Sequence, residues 1–265
     1  MKKLFTLIFC VVFASITKAQ TANEVIESFI QANGGKEKLN SINNLMVESL
    51  VTLEQFGITI NITTVKEKNK LFRIQSKSPM TEEANFTLIT DTAGYTYSPA
   101  MNSPMGATEA QLVKFTPQEL ETLAYLKECD GMFAQLVDYA EKGSKAELLK
   151  DANINGVDCY GIKLTLKTNQ EMNFYISKAN YQVRRLQVAA PLAMEMMGMG
   201  AMMRMFGRDR FGNRKVDIDF EKYKLFDGVP FPTKQTVQLG MMQLELQNTS
   251  YKFNVPSNAR WYEVK

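Results

Sequence analysis

The chain of 265 residues contains no histidine. That absence excludes Ser-His-Asp and Cys-His nucleophile systems, histidine-liganded zinc and the side chain that titrates nearest neutral pH. Catalysis would have to rest on carboxylates, Lys, Tyr or Cys. Cysteine is scarce too: Cys10, Cys129 and Cys159 are all there are. There is no Gly-rich phosphate loop, no CxxC pair and no GxSxG elbow. No Pro/Gly/Ser-rich linker divides the chain and no short-period repeat runs through it, so one domain is expected over residues 20–265.

The apolar run at the start, Leu4 to Ala14, is short of the twenty or so residues a transmembrane helix needs. Lys2 and Lys3 precede it, and Thr17-Lys18-Ala19 places small residues at −3 and −1 of a cut before Gln20. This is the layout of a cleavable export signal over residues 1–19; an uncleaved anchor is the alternative. Cys10 follows bulky Phe9, where a lipid-attachment site wants a small residue. The mature protein is expected to be soluble and periplasmic.

Processing also removes the basic excess. Lys2, Lys3 and Lys18 are the only charges in residues 1–19, so the 31 Lys and Arg fall to 28, against 28 Asp and Glu. Nucleic-acid binders carry a basic surplus or stripe, and none is evident. An oxidising compartment permits a bridge between Cys129 and Cys159; two separately buried thiols are the alternative.

The mature chain opens with a helical period. Val25, Ile26, Phe29 and Ile30 form one stripe over residues 22–33, and Gly34-Gly35 ends it. The period then becomes two. Leu45, Val47, Val51 and Leu53 are apolar with Ser49 the exception, and Ile58, Ile60 and Ile62 oppose Thr59, Asn61 and Thr63. Alternation continues over 70–76, 85–91 and 94–98. Residues 99–107, with two prolines and a glycine, read as a loop. Thr116-Pro117-Gln118-Glu119 starts a helix, and a second helical stretch is expected over 132–139. Strands resume with a short one at 146–149, then 160–168, 172–176, 181–188, 216–221 and 237–247. Some ten or eleven strands joined by short turns describe an antiparallel meander, which tends to curl at that size and can leave a cavity.

Residues 192–206 break the alternation. They hold Met194, Met196, Met197, Met199, Met202, Met203 and Met205, and end on Phe206. A pliable apolar loop or a marginal helix fits them, because Gly198 and Gly200 would weaken a helix by about 1 kcal/mol each. Methionine suits surfaces that must fit varied apolar partners. Arg204, Arg208 and Arg210 are interleaved or follow, so the segment is a candidate contact for an acyl chain and an anionic headgroup. The other readings are an insertion tucked on the sheet and a Cu(I) site built on thioethers alone. Asp217, Asp219 and Glu221 share one strand face and are read as an exposed face rather than a calcium site.

The opening helix ending in Ala32-Asn33-Gly34-Gly35-Lys36-Glu37-Lys38-Leu39, the long strands after it and the phrases Asn155-Gly156-Val157-Asp158-Cys159-Tyr160 and Asp227-Gly228-Val229-Pro230-Phe231-Pro232 give the mature chain its outline. In that pattern it resembles the LolA/LolB-like periplasmic lipoprotein carriers, and especially the outer-membrane lipoprotein-sorting homologues of Bacteroidetes-type bacteria. The resemblance implies an α+β fold: a curved antiparallel sheet forming an incomplete half-barrel, closed by helices over an apolar cavity for acyl chains. It implies a monomeric, non-enzymatic protein without cofactor or metal that binds lipoprotein or lipid acyl chains and hands them to an acceptor or membrane surface. The helix at 116–126 and the loop at 99–107 are its lid candidates. The methionine segment is not part of that pattern. An interaction or sensor module on the same scaffold is the alternative, and an enzyme a third reading without named catalytic groups.

Overall fold

The computed structural model describes residues 20–53, 57–77, 81, 83–103, 106–200, 212, 214–239 and 242–264. The expected signal segment lies outside them. In helix α1 (Ala22–Ala32) the buried stripe is Val25, Ile26, Phe29 and Ile30, and Thr21 with Glu24 closes a capping box. The box satisfies two main-chain N–H groups that a first turn leaves without partners. Gly34 then adopts φ +108°, which a Cβ would oppose, and the chain turns into α2 (Lys36–Asn40).

Five strands follow: β1 (Asn44–Leu53), β2 (Ile58–Glu67), β3 (Leu71–Lys77), β4 (Asn85–Ile89) and β5 (Gly94–Ser98). Where a loop is expected over 99–107, a small hairpin forms instead, β6 (Met101–Ser103) on β7 (Gly106–Thr108). Pro99 stands before its first strand and so removes no ladder bond. Strand β8 (Gln111–Lys114) precedes α3 (Pro117–Leu123), where Thr116 caps, Glu119 returns the bond and Pro117 occupies the first turn.

The helix expected over 132–139 is absent. The chain there makes one short 3-10 turn, Ala134–Leu136, while another, Ala124–Lys127, continues α3. Phe133, Ala134, Gln135, Leu136 and Val137 are all buried, and a surface helix with one apolar stripe cannot bury five successive residues. Eight further elements complete the chain: β9 (Lys145–Ile154), β10 (Val157–Thr165), β11 (Glu171–Ser177), β12 (Val183–Ala189), α4 (Ala190–Met196), β13 (Lys215–Phe226), β14 (Val229–Leu239) and β15 (Met242–Phe253). Strands thus outnumber the ten or eleven expected. The short strand read at 146–149 extends to ten residues, because its outer positions are polar at an exposed edge and carry no apolar period.

Thirteen strands make one antiparallel sheet in the order β8-β5-β4-β3-β2-β1-β15-β14-β13-β12-β11-β10-β9. It is open, an incomplete barrel of the α+β class. Its two edges, β8 and β9, are consecutive in the sheet's path along the chain, so the segment between them, 115–144, connects one rim to the other. The main core lies on the sheet face that α1, this segment and α4 cover. A second core of Val65, Leu71, Phe86 and Leu88 lies on the opposite face beneath Trp261 and Val264. Arg73 holds that C-terminal strap, donating to the Glu263 carbonyl at 2.6 Å with its guanidinium 4.4 Å from the Phe86 ring.

Two readings settle here. Cys129 and Cys159 are both free and buried. Asp217 and Asp219 flank Arg185, whose guanidinium meets Asp219 at 2.5 and 2.9 Å and Asp217 at 2.9 Å, so the acidic face is ion-paired across strands. No cluster of metal-ligating acids or cysteines occurs among the described residues, and no helix there is long and apolar enough to cross a membrane.

Candidate functional site

Alternate residues of the central strands point to the covered face. They are Leu45, Val47, Ser49 and Val51 from β1; Ile62, Thr64 and Lys66 from β2; Phe72 and Ile74 from β3; Ile218 and Phe220 from β13; Gln235 from β14; and Leu246 and Asn248 from β15. Over them lie Leu126, Met132, Phe133 and Gln135 from the crossover segment, and Met196 and Met197 from the α4 region. Phe133 is the centre of the cover. Its ring meets Phe220 edge-on at 4.9 Å, Phe29 at 6.2 Å and Phe174 at 6.3 Å.

Between wall and cover remains a cavity of about 100 Å³. An engineered cavity of about 150 Å³ takes one benzene, so this space is closed to an extended hydrocarbon as it stands. A much larger groove of about 880 Å³ lies on the other side of α4. Leu123 of α3 and Ala189, Pro191 and Leu192 give it an apolar floor, with Glu119, Glu171, Glu195 and Lys215 around it. Helix α4 is therefore the partition: Pro191, Leu192 and Glu195 face the groove, and Met196 and Met197 face the cavity.

That partition is weakly built. It has seven residues and no side-chain cap, and Gly198 follows at φ +73°. Isolated helices of that length are unstable, so contacts hold it. Met194 and Met197 are buried while Met196 and Met199 are half-buried. Gly198 sits so close to β3 that a Cβ there would lie 2.9 Å from Ile74 Cγ1.

The cavity wall is not wholly apolar. Ser49 donates to Asn248 Oδ1 at 2.7 Å, and Asn248 donates to the Pro232 carbonyl at 2.8 Å. Gln235 lies one pair further along; it is 8 % exposed, lines the cavity, and its amide has no hydrogen-bond partner among the described residues. Its polar atoms are not among those fully sealed without a partner, so the unpaired amide costs less than a sealed one would, about 1–3 kcal/mol. Gln235→Met is therefore expected to leave folding stability equal or raise it by about 1 kcal/mol, read from urea unfolding. A loss of more than 1 kcal/mol would mean the amide already has a partner in the resting protein.

At the other end of the cavity Lys66 donates to the Glu128 carbonyl at 3.3 Å, and burial pulls its ammonium below the usual lysine range. Burial also pushes Tyr125 well above the phenol range, with the Glu195 and Glu128 carboxylates adding to it. Burial likewise raises the Cys129 thiol, to about 11. At pH 8 such a thiol is roughly one part in a thousand thiolate, and thiolate is the reactive form. Cys129 is expected to resist iodoacetamide while the crossover segment is seated; labelling at the rate of an unfolded peptide would show the segment already open.

No family model matches the chain, and no curated protein matches it in sequence. Solved structures do match. A LolA superfamily protein from Nitrosomonas europaea is similar over 90 % of this chain and 96 % of its own, with a TM-score of 0.53 at 12 % identity. The fold is LolA-like. A DUF1329 family protein from Desulfovibrio piger is similar over 93 % of this chain and 98 % of its own, with a TM-score of 0.54 at 10 % identity. A domain named for outer-membrane lipoprotein sorting, from Vibrio parahaemolyticus, covers 90 % of this chain and 94 % of its own, with a TM-score of 0.50 at 12 % identity.

Within this LolA-like fold the expected site residues divide. Met194, Met196, Met197 and Met199 come together around α4. Met202, Met203, Met205, Phe206, Arg204, Arg208 and Arg210 lie outside the described residues. Of the lid candidates, α3 borders the groove, whereas no described residue of 99–107 lines groove or cavity. Lys66, Gln235 and Asn248 were not expected. Their signal is the position where an apolar alternation runs on to a polar residue: Ile60-Ile62-Thr64-Lys66 on β2, Leu244-Leu246-Asn248 on β15, and Gln235 before Val237 on β14.

Proposed function

We propose that the protein is exported, loses residues 1–19 and shields an acyl chain of a lipid or lipoprotein in the periplasm for outer-membrane lipoprotein sorting. The observation that carries this reading is the partition by α4. Groove and cavity are separated by one short, uncapped helix whose methionines plug the space that a chain would take. Swinging α4 outward joins the two. Each buried CH₂ is worth about 0.8 kcal/mol, so a dozen methylenes offset the lost contacts of the helix. The displaced Met196, Met197 and Met199 then meet the chain; the same role is proposed for Met202, Met203, Met205 and Phe206, and contact with an anionic membrane surface for Arg204, Arg208 and Arg210. The chemistry is binding, without cofactor.

Native mass spectrometry of protein purified from its own envelope is expected to show an acyl adduct. A fluorescent fatty acid is expected to bind the stripped protein and to bind several-fold more weakly after Met196→Ser with Met197→Ser. Apo-protein alone, with no probe binding, would overturn the reading. It would favour an interaction or sensor module, which the small size of the closed cavity supports.

A further inference from the structure

The crossover segment is clamped to the sheet by a cluster of charges. Lys142 meets Glu128 at 3.0 Å, Asp130 at 3.2 Å and the Ala134 carbonyl at 2.8 Å. Lys68 pairs with Asp130 and donates to the Asn40 carbonyl at 3.1 Å. Those two lysines and two carboxylates balance. Lys66 is the third ammonium, and it has no third carboxylate. Its one hydrogen bond goes to the Glu128 main chain, and among the described residues it makes no ion pair. It stands on the cavity side of β2, opposite Leu45 and Phe72, with its nitrogen 5.8 Å from the Phe72 ring. Lys66 is half-buried, and the Glu128 and Asp130 carboxylates that attract it are already paired with Lys142 and Lys68; an ammonium left without an ion pair of its own on a cavity wall invites an anion.

The rest of the cavity indicates what the anion is attached to. From Lys66, paired with Leu45, to Asn248, paired with Ser49, is four residues along β1, or about 13 Å. The wall between is apolar except for Thr64: Val47, Ile62, Phe72 and Ile74. A charge at one end and hydrocarbon along the length fit a single-chain amphiphile. We propose that Lys66 is the interior anchor for the anionic headgroup of such an amphiphile, a carboxylate or a phosphate monoester, with the chain lying along the inner wall. The proposal rests on the acyl-binding reading above and names the end of the ligand that enters first. Binding forms a charge-assisted hydrogen bond at Lys66 and displaces only the Glu128 carbonyl, which water can satisfy once the segment lifts.

The test is calorimetry on the mature protein with decanoate, decyl phosphate and decanol. One charge-assisted hydrogen bond corresponds to about ten- to hundredfold in affinity, so at least one anion is expected to exceed decanol by that factor; which one identifies carboxylate or phosphate as the headgroup. Lys66→Met is expected to erase the preference, so that both anions bind this variant no tighter than decanol does, and Lys66→Arg to keep it. Because the substitution to Met leaves the cluster with two cations and two anions, its melting temperature is expected to match or exceed the wild type. A purely structural role predicts the reverse. Equal affinity for decanol and both anions would overturn the anchor while leaving acyl binding intact, as would an unchanged preference in Lys66→Met. If Lys66→Met does not fold, the wild-type comparison of anions with decanol and the Lys66→Arg preference decide. Binding of none of the three overturns anchor and acyl reading together.

Discussion

Phe133→Ala is expected to lower folding stability by about 3–5 kcal/mol, the usual cost of removing a buried aromatic ring, and at the same time to increase the protein's capacity for hydrocarbon. The first effect follows from position. Phe133 is the only described residue of the cover whose ring meets rings from α1, β11 and β13 together, through Phe29, Phe174 and Phe220. Edge-to-face contacts of this kind add about 0.5–1.5 kcal/mol beyond the area they bury. The surroundings are strands tied on both sides, which cannot close up on the void, so the cavity term stays near its full value. For a chain of this size the melting temperature falls by on the order of 10 °C.

The second effect separates this substitution from an ordinary core deletion. The ring borders the existing 100 Å³ space, so its removal enlarges that space instead of opening an isolated hole. An apolar ligand that fills the space binds the folded state only, and stabilises it by RT ln(1 + [L]/Kd). Urea unfolding with and without decanol is the measurement. The variant is expected to regain more stability from the alcohol than the wild type does. A variant that loses under 1 kcal/mol, or that gains no more from ligand than the wild type, would show that the ring neither holds the cover nor limits the cavity.

Much of this architecture was legible from residue order. The period of two in Ile58–Val65 and in Met242–Gln247 marks strands because one face of each is buried and the other is wet. Thr116-Pro117-Gln118-Glu119 carries its helix start in a cap that needs no tertiary partner. The covering segment was not legible, since Phe133 to Val137 are buried by being wedged between sheet and α1, a long-range arrangement that leaves no local period. The hairpin at 101–108 escaped for the opposite reason: three-residue strands are too short to show alternation. Ser49 was visible as a break in its strand's pattern, but only its neighbour across the ladder, Asn248, turns that break into a polar row. The methionine segment stood out by composition, and composition could not tell a loop from a plug. The plug is made by Gly198, whose missing side chain lets α4 seat against Ile74.

That contact supports the other large effect. Gly198→Val is expected to unseat α4 without unfolding the sheet. A β-branched residue at φ +73° is strained by about 1–3 kcal/mol, and its Cβ would approach Ile74 Cγ1 to 2.9 Å, which adds overpacking of about 1–3 kcal/mol. Neither side of the contact yields easily: Ile74 is buried in a central strand, and the glycine is fixed by the Gly198 N–H to the Glu195 carbonyl at 3.2 Å. Undocking the helix is the cheaper escape. Burial of Leu192, Met194 and Met197 holds the helix down, and the entropy of ordering its residues, about 1–2 kcal/mol each, opposes that. The docked state is held by the difference, and a clash of this size tips it. Amide exchange is expected to accelerate by two orders of magnitude or so across 193–199 while β1, β14 and β15 stay protected. Fatty-acid association is expected to quicken, because the partition no longer has to open first. Exchange over 193–199 at the wild-type rate would mean that the helix is held by something other than this seat. Faster exchange without faster association would mean that α4 is not the door.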